Sequence, residues 1–328
     1  MSIPKPLRLL LAVVYGAYLL LSITAGLFCT VLPMYLILRP FSEAFYLNMS
    51  AHFQSSYLTV FPFVLEKLLG IRIRLTGMLP VKEPVLVLSN HLSHEWTVMY
   101  GLGYRSGVLG LVRTVIKDVI QYVPGFGWGM WVLYWPFVSR DFSKDEAKLK
   151  SFAGSYERAK LPVQLWLYPE GTRQTKSKLL SSQQYAKQKG YPVWNHIMLP
   201  RHRGFVVTVN ALASLVRTIL SVTVQYEGWR KAPSVVQLFS TDPTRPHVIH
   251  VHVKSYATAA LPADDEGKRQ WLMDCFAEKD KLLTEFQATG KFPGSVVKTE
   301  VAGLVMFLHV VAWGVLTWFF WTAFVRLF

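Results

Sequence analysis

The chain has 328 residues, of which 52% are hydrophobic and only 17% charged, so it is too apolar for an ordinary soluble protein and long enough for one large domain with additions at both ends. Lysine and arginine outnumber aspartate and glutamate by 35 to 20, and the net charge of +15 favours anionic lipid or phosphorylated substrates. The apolar ends and the lack of a basic-aromatic ribonucleoprotein motif argue against nucleic-acid binding. The two cysteines, Cys29 and Cys275, lie far apart in the sequence, which argues against a disulfide framework or thiol catalysis.

Residues 1–69 are predicted to form membrane and interfacial helices. No charged residue lies between Arg8 and Arg39, and this run is long enough to cross roughly 30 Å of hydrocarbon. A cleaved signal peptide is the alternative, but the run is about twice as long as the apolar region of a signal. The aromatic-rich segment 41–69 suits an interfacial helix, although a helix packed on the globular core fits the pattern equally well.

Residues 70–298 are predicted to form an α/β domain. Strands are expected at residues 71–76, 85–89, 108–112, 131–138, 163–168 and 247–253, and helices at 96–104, 144–159 and 265–286. The glycine-rich stretch 123–130 is predicted to be an irregular turn, and Lys117 is expected on or near a short helix. Strands that alternate with helices up to about residue 226 indicate a mostly parallel sheet covered by helices on both faces.

The remaining segment, 299–328, is predicted to contain a second membrane helix. Residues 302–325 carry no Asp, Glu, Lys or Arg and include Trp313, Trp318 and Trp321. The chain is therefore expected to be an integral membrane protein whose α/β domain lies between two hydrophobic ends.

The first candidate for chemistry is Asn90-His91, where the buried strand 85–89 is predicted to end. Glu95 lies four residues after His91, so the two side chains face the same way if the turn is helical. A carboxylate beside an imidazole fixes its tautomer and makes it a general base near pH 7. The alternative is a helix start capped by Asn90 or Ser93, with partly exposed histidines. His91, His94 and Glu95 do not follow the order of a zinc-binding helix motif, so no metal is expected.

The second candidate is Tyr168-Pro-Glu-Gly-Thr-Arg173, which directly follows another predicted strand. Gly171 allows the backbone to approach a ligand closely, and the guanidinium of Arg173 matches phosphate oxygens in pairs. A surface turn with a solvated arginine is the alternative interpretation.

Together, the two motifs resemble the glycerophospholipid acyltransferase family, whose members move an acyl group from acyl-CoA to a glycerol-phosphate lipid. The likeness covers about residues 60 to 295. Its eukaryotic 1-acylglycerol-3-phosphate acyltransferase branch is similar at further blocks, namely Lys117, Phe-Gly-Trp-Gly-Met at 126–130, Ser139-Arg140, and Leu199-Pro-Arg201 followed by Gly204-Phe205. The family pattern separates the histidine from an aspartate by four residues, whereas three residues separate His91 from Glu95 here. We expect the extra methylene of glutamate to offset the shorter turn, with His94 as the other possible partner.

The resemblance implies transfer of an acyl group from acyl-CoA, a co-substrate, to the 2-hydroxyl of lysophosphatidate. It implies that His91 removes the hydroxyl proton while Glu95 orients and stabilises the ring, without an acyl-enzyme, a metal or a bound cofactor. Substrate phosphate would be held by Arg173 with Lys117 and Arg140, although solvated surface cations are an equal alternative for the last two.

The loop Glu170, Gly171 and Thr172 is expected to contact substrate and to stabilise the oxyanion, through backbone N–H groups or with a nearby cation. Another lysophospholipid, such as lysocardiolipin or lysophosphatidylinositol, is an alternative acceptor. A catalytically inactive lipid-binding membrane protein is an alternative from a different class. The family also implies the endoplasmic reticulum membrane, whereas the sequence makes no prediction of oligomeric state.

Overall fold

The computed structural model describes residues 4–79, 82–92, 94–139, 141–227, 235–240, 247–299 and 303–327. Within these ranges, eight strands are formed: β1 (Arg72–Gly77), β2 (Val85–Ser89), β3 (Val112–Thr114), β4 (Ile116–Lys117), β5 (Phe137–Val138), β6 (Gln164–Leu167), β7 (Thr218–Tyr226) and β8 (Val248–Ala257). The main sheet has the order β1-β8-β7-β2-β6-β3, and β4 pairs with β5 separately. Every neighbouring pair is parallel except β7 and β8, so the predicted mostly parallel sheet is confirmed.

The helices of the same ranges are α1 (Lys5–Gly26), α2 (Leu32–Leu38), α3 (Glu43–Leu58), α4 (Val60–Pro62), α5 (Trp96–Arg105), α6 (Phe126–Val132), α7 (Phe142–Arg158), α8 (Lys176–Lys189), α9 (His202–Ala211), α10 (Val235–Phe239), α11 (Asp265–Thr289) and α12 (Gly303–Leu327). Two π-helical stretches extend these helices. Leu27–Val31 joins α1 to α2, and Phe63–Leu68 follows α4.

Both faces of the sheet are covered, as the apolar run of β2 requires. All five residues of β2 are buried, and successive side chains of a strand point to opposite faces. Leu86 and Leu88 belong to a core formed with α7, α9 and α11. Val85 and Val87 belong to a second core formed with α5, the stretch around α4, and α12. The C-terminal helix α12 therefore packs on the face opposite α9 and α11, whereas Leu27 and Val31 of the N-terminal apolar segment belong to the same core as those two helices.

Two helices in the described ranges are long and apolar enough to cross a membrane, at residues 6–38 and 303–326. Only 22% and 17% of their most apolar windows are buried, so neither is an ordinary core helix. They pack against each other: the hydroxyl of Tyr18 donates to the carbonyl of Val310 at 3.3 Å, and Phe28 stacks on Phe320. Segment 41–69, for which an interfacial or a core-packed helix was open, contains α3 with Tyr46 and Leu47 buried in the core.

The sequence prediction was wrong around residues 123–138. The predicted turn and strand are replaced by α6, and only Phe137–Val138 is extended. Gly127 permits this helix because a Cβ there would lie 2.0 Å from the carbonyl oxygen of Ile120. The hydroxyl of Tyr46 donates to the carbonyl of Val132 at 2.6 Å and satisfies the C-terminal end of α6. Long-range packing therefore decides this segment.

Two smaller differences from the sequence prediction concern residues 108–112 and 173–247. The expected strand at 108–112 is a 3₁₀ turn, Leu109–Leu111, and β3 begins only at Val112. Gly110 allows the backbone of α3 to approach, since a Cβ there would lie 1.8 Å from the carbonyl oxygen of Ala51. Lys117 ends β4 and directly precedes the short 3₁₀ helix Asp118–Tyr122, so the expectation that it lies on or near a short helix is confirmed. The elements α8, α9 and β7, between residues 173 and 247, were not predicted individually.

Candidate active site

The ends of three parallel strands bring the two sequence motifs together. β2 pairs with β6, and β6 pairs with β3, all in the same direction. His91, the loop 168–173 and Lys117 therefore leave the sheet at one edge, which is where α/β folds place their sites. A cavity of about 1030 Å³ opens there, which we call the strand-end cavity. It is lined by His91, Lys117, loop residues 168–172 and side chains of α7, α8, α9 and α11.

His91 and Glu95 form a close pair. Nδ1 of His91 lies 2.8 Å from Oε2 of Glu95, whose side chain is 1% exposed, whereas that of His91 is 28% exposed. The other carboxylate oxygen, Oε1, accepts the backbone N–H of Leu92 at 2.5 Å. Since Glu95 occupies Nδ1, Nε2 is the ring nitrogen left to accept a proton. The pair forms across a turn, because α5 begins only at Trp96.

Asn90 positions the histidine from below and is not a helix cap. Its Nδ2 donates to the carbonyl of Val224 at 3.0 Å, and its Oδ1 accepts the N–H of Val224 at 2.8 Å. Both polar groups of the Asn90 side chain are thus hydrogen-bonded to β7, and the N-cap residue of α5, Glu95, makes no side-chain capping hydrogen bond. Ser93, the other proposed cap, lies outside the described residues. A buried amide with both groups satisfied fixes the backbone immediately before His91.

The two motifs are hydrogen-bonded to each other. The N–H of His91 donates to Oε1 of Glu170 at 2.8 Å, and the carbonyl of His91 accepts the N–H of Gln174 at 2.7 Å. The imidazole also stacks on the ring of Tyr168, with centroids 4.5 Å apart. The loop after β6 therefore sets the position and tilt of His91.

Glu170 is buried with half of its carboxyl group unused. Burial, reinforced by the charge of Glu95, raises the pKa of Glu170 to about 8, although the N–H of His91 favours the charged form. Oε2 of Glu170 has no hydrogen-bond partner among the described residues. A neutral carboxyl group is therefore the dominant form at pH 7, and it supports the backbone of His91 without adding charge to the cavity.

Lys279 is a buried residue that the sequence analysis missed. Its Nζ donates to the carbonyl of Leu88, near the end of β2, at 3.1 Å and to the carbonyl of Val222, in the middle of β7, at 2.7 Å. Burial lowers the pKa of Lys279 to about 8. A signal was present, because Leu272, Phe276 and Leu283 place position 279 on the buried stripe of α11.

The predicted phosphate ligands Lys117 and Arg173 differ in whether they line the strand-end cavity. Lys117 is exposed and lines the strand-end cavity. Glu170, Gly171 and Thr172 line the same cavity. Arg173 is exposed and does not line it. Arg140 lies outside the described residues.

Two further cations reach the loop inside the cavity. Gly171 has a φ of +68°, and a Cβ there would lie 3.0 Å from Cδ of Arg201, so the arginine side chain lies directly across the glycine. Nζ of Lys178 donates to Oγ1 of Thr172 at 2.6 Å. Arg201 belongs to a block quoted for the family resemblance, but its spacing gave no signal that it would meet loop 168–173. Within the described ranges, no group of three His, Cys, Asp or Glu side chains is arranged to hold a metal ion.

Both motifs, at residues 90–95 and 168–173, lie in the part of the chain that matches a known protein family. The acyltransferase family matches residues 70–224, and the acyltransferase C-terminal family matches residues 243–321. A crystal structure of the 1-acyl-sn-glycerophosphate acyltransferase of Thermotoga maritima has a similar fold, with a TM-score of 0.50 and 15% sequence identity over 87% of this chain and 98% of that one.

Three individual relatives are similar to this chain over 68% to 70% of their own length. A 1-acyl-sn-glycerol-3-phosphate acyltransferase of Arabidopsis thaliana is 33% identical over 79% of this chain and 68% of its own length. The epsilon form of that enzyme from Mus musculus is 33% identical over 73% of this chain and 70% of its own. A lysocardiolipin acyltransferase of Danio rerio is 26% identical over 86% of this chain and 70% of its own.

Proposed function

Because the chain belongs to the glycerophospholipid acyltransferase family, in the branch of the 1-acylglycerol-3-phosphate acyltransferases, we propose that it transfers an acyl group from acyl-CoA to the sn-2 hydroxyl of lysophosphatidate. The observation that carries this proposal is the His91–Glu95 pair at the wall of a cavity that also holds Lys117 and Arg201. One cavity thus contains a base for a hydroxyl and cations for a phosphate.

The proton steps follow from the tautomer that Glu95 imposes. Nε2 of His91 takes the proton of the 2-hydroxyl as its oxygen attacks the thioester carbonyl carbon. The tetrahedral intermediate then collapses, the carbon–sulfur bond breaks, and the imidazolium returns the proton to the departing thiolate. Glu95 stabilises the imidazolium between these steps. The products are phosphatidate and free coenzyme A, and no group on the protein is acylated.

The negative charge that develops on the carbonyl oxygen needs a donor near loop 168–173. The N–H of Gly171 donates to the carbonyl of Tyr168 at 2.9 Å, which closes the turn and uses this backbone donor. The guanidinium of Arg201, which lies across Gly171, is therefore our candidate for stabilising the oxyanion.

Lys117 would hold the acceptor phosphate from the β3 side of the cavity. Arg173 would join it by turning its exposed side chain inwards, and Arg140 is retained as a proposed third ligand. Paired guanidinium–phosphate contacts are the physical reason for arginine at these positions.

The membrane is the proposed source of the acceptor. The apolar helices 6–38 and 303–326 would anchor the enzyme in the bilayer, and we place it in the endoplasmic reticulum on the family resemblance. Lysolipid would then reach the cavity from the bilayer.

Lysocardiolipin is the second candidate acceptor, because relatives named for its acylation are similar over most of this chain. The test is acyl transfer by the purified full-length protein from oleoyl-CoA to lysophosphatidate, lysophosphatidylinositol and lysocardiolipin presented in identical mixed micelles. The proposal expects the highest kcat/KM with lysophosphatidate. A preference for either other lipid would overturn the acceptor assignment, and no transfer to any of them would favour an inactive lipid-binding protein.

A further inference from the structure

The strand-end cavity is larger than the acceptor's phosphate and hydroxyl require. Its helical wall carries a second set of side chains, which we call the tyrosine–arginine cluster: Tyr185, Tyr191, His202, Arg203 and Arg269. These residues come from α8, the segment after it, α9 and α11. None of them has a role in the proton transfer or oxyanion stabilisation described above.

The cluster contains two guanidinium groups, those of Arg203 and Arg269. Partial loss of hydration, together with the nearby charges of Arg269 and Arg203, lowers the pKa of His202. Glu266 is the carboxylate paired with Arg269, and its side chain is 71% exposed. Asp145, elsewhere in the cavity wall, is already bound by the N–H and hydroxyl of Ser139 at 2.8 and 3.0 Å. An anion entering the cluster therefore meets two guanidinium groups, of which that of Arg269 is shared with Glu266.

The cluster also offers flat surfaces. The ring centroids of Tyr185 and Tyr191 are 6.4 Å apart, and Cζ of Arg269 lies 6.0 Å from the centroid of Tyr191. Tyrosine faces and guanidinium planes stack on planar aromatic ligands such as purine bases. A phosphate next to a purine thus matches the cluster better than a glycerophosphate does.

The position of the cluster suits a water-soluble ligand. Helices α9 and α11 cover the sheet face that contains Leu86 and Leu88, whereas the apolar helix α12 packs on the face that contains Val85 and Val87. His202 and Arg203 are exposed. The cluster therefore opens to water on the face opposite α12, one of the two helices that are apolar enough to enter a membrane.

We propose that the tyrosine–arginine cluster binds the 3′-phosphorylated adenosine diphosphate part of the acyl-CoA donor, with Arg203 and Arg269 on its phosphates and Tyr191 against the adenine. This inference rests on the proposed function, which brings the thioester carbonyl to His91. The donor then runs from the helical wall to the strand ends, and the acceptor approaches from the side of Lys117.

The first experiment measures KM for oleoyl-CoA and for oleoyl-dephospho-CoA, which lacks only the 3′-phosphate. Loss of a charge-assisted contact predicts that the dephospho donor has a KM about tenfold to a hundredfold higher in the unmodified enzyme. In Arg269→Gln and Arg203→Gln the KM for oleoyl-CoA rises by a similar factor and the difference between donors shrinks. The KM for lysophosphatidate stays unchanged. Lys187→Gln is the matched control, because it removes one exposed cation of α8 that does not line the cavity.

A raised KM for lysophosphatidate, with an unchanged donor KM, would place the acceptor phosphate at the cluster and overturn the inference. Equal KM values for the two donors in the unmodified enzyme would also overturn it.

The second experiment does not depend on catalysis. Equilibrium dialysis of coenzyme A and dephospho-coenzyme A against the His91→Ala protein reports the nucleotide site even if no acyl transfer is found. Tighter binding of coenzyme A that is lost in His91→Ala/Arg269→Gln supports the inference. Equal binding of the two compounds, or no effect of Arg269→Gln, contradicts it and leaves the acyltransferase proposal to its own assay.

Discussion

Nδ1 of His91 and Oε2 of Glu95 lie 2.8 Å apart although only three residues separate the two in the chain. The contact is possible because this segment is not helical and Glu95 directly precedes α5, so its side chain reaches back over the turn to both the imidazole and the N–H of Leu92. The longer side chain of glutamate thus bridges a turn that is one residue shorter than in the family pattern.

Shortening Glu95 should break this relationship. In Glu95→Asp the carboxylate loses a methylene and no longer reaches Nδ1, whereas in Glu95→Gln the reach is kept but the negative charge is lost. Both variants are expected to reduce kcat by about 10²- to 10⁴-fold, because the imidazolium is no longer stabilised. Steady-state kinetics with oleoyl-CoA and lysophosphatidate measure this, with thermal unfolding as the check on folding. Full activity in Glu95→Asp would show that the side-chain length is irrelevant.

The glycine at 171 is expected to be irreplaceable for two separable reasons. Gly171→Ala puts a side chain on a backbone with φ +68° and also presses it against Arg201. Gly190→Ala is the matched control, since Gly190 has φ +69° but nothing within 4 Å of its Cβ position. Each substitution should cost about 1–2 kcal/mol of stability from the backbone. Acyl transfer should fall only in Gly171→Ala, and equal losses of activity in both variants would rule out a role for the Arg201 contact.

Lys279 should stabilise the fold from beneath the site. In Lys279→Met the carbonyls of Leu88 and Val222 lose a buried donor, and we expect the free energy of unfolding to fall by about 2–4 kcal/mol. Lys281→Met, on the exposed side of the same helix, is the control and should change stability by less than about 0.5 kcal/mol. Chemical denaturation in a fixed detergent measures both. Equal stability of the two variants would mean that the Nζ contacts contribute nothing.

Glu170 should make stability depend on pH in a definite direction. Its pKa is raised from 4.5 to about 8 in the folded protein, so between these values the folded state binds more protons than the unfolded state. The stabilising contribution is therefore complete below about pH 4.5 and is lost as pH rises through 8. Glu170→Gln keeps an acceptor for the N–H of His91 but cannot titrate, so its unfolding free energy should fall less steeply from pH 5 to 8. Denaturation series at several pH values in that window test this, and identical slopes would contradict it.

The sequence predicted the parts of this molecule that depend on local pattern. The buried run 85–89, the loop at 168–173 and the two apolar ends each carry their own signal, and together they place His91 and Glu170 at one sheet edge. What could not be predicted depends on contacts between distant segments. The helix α6 needs the hydroxyl of Tyr46, and Arg201 meets Gly171 only through the path of the chain between β6 and α9. For Lys279 the buried stripe of α11 indicates burial, but no local pattern predicts that its Nζ binds the carbonyls of Leu88 and Val222 on two strands.

The central claim is that the imidazole of His91 removes the proton from the acceptor hydroxyl. The most direct measurement is single-turnover acyl transfer from oleoyl-CoA to lysophosphatidate by the unmodified protein and by His91→Ala, with both substrates saturating and the same folded fraction in each sample. We expect a rate at least about 10²-fold lower in His91→Ala, with coenzyme A binding unchanged. Equal rates in the two proteins would contradict it.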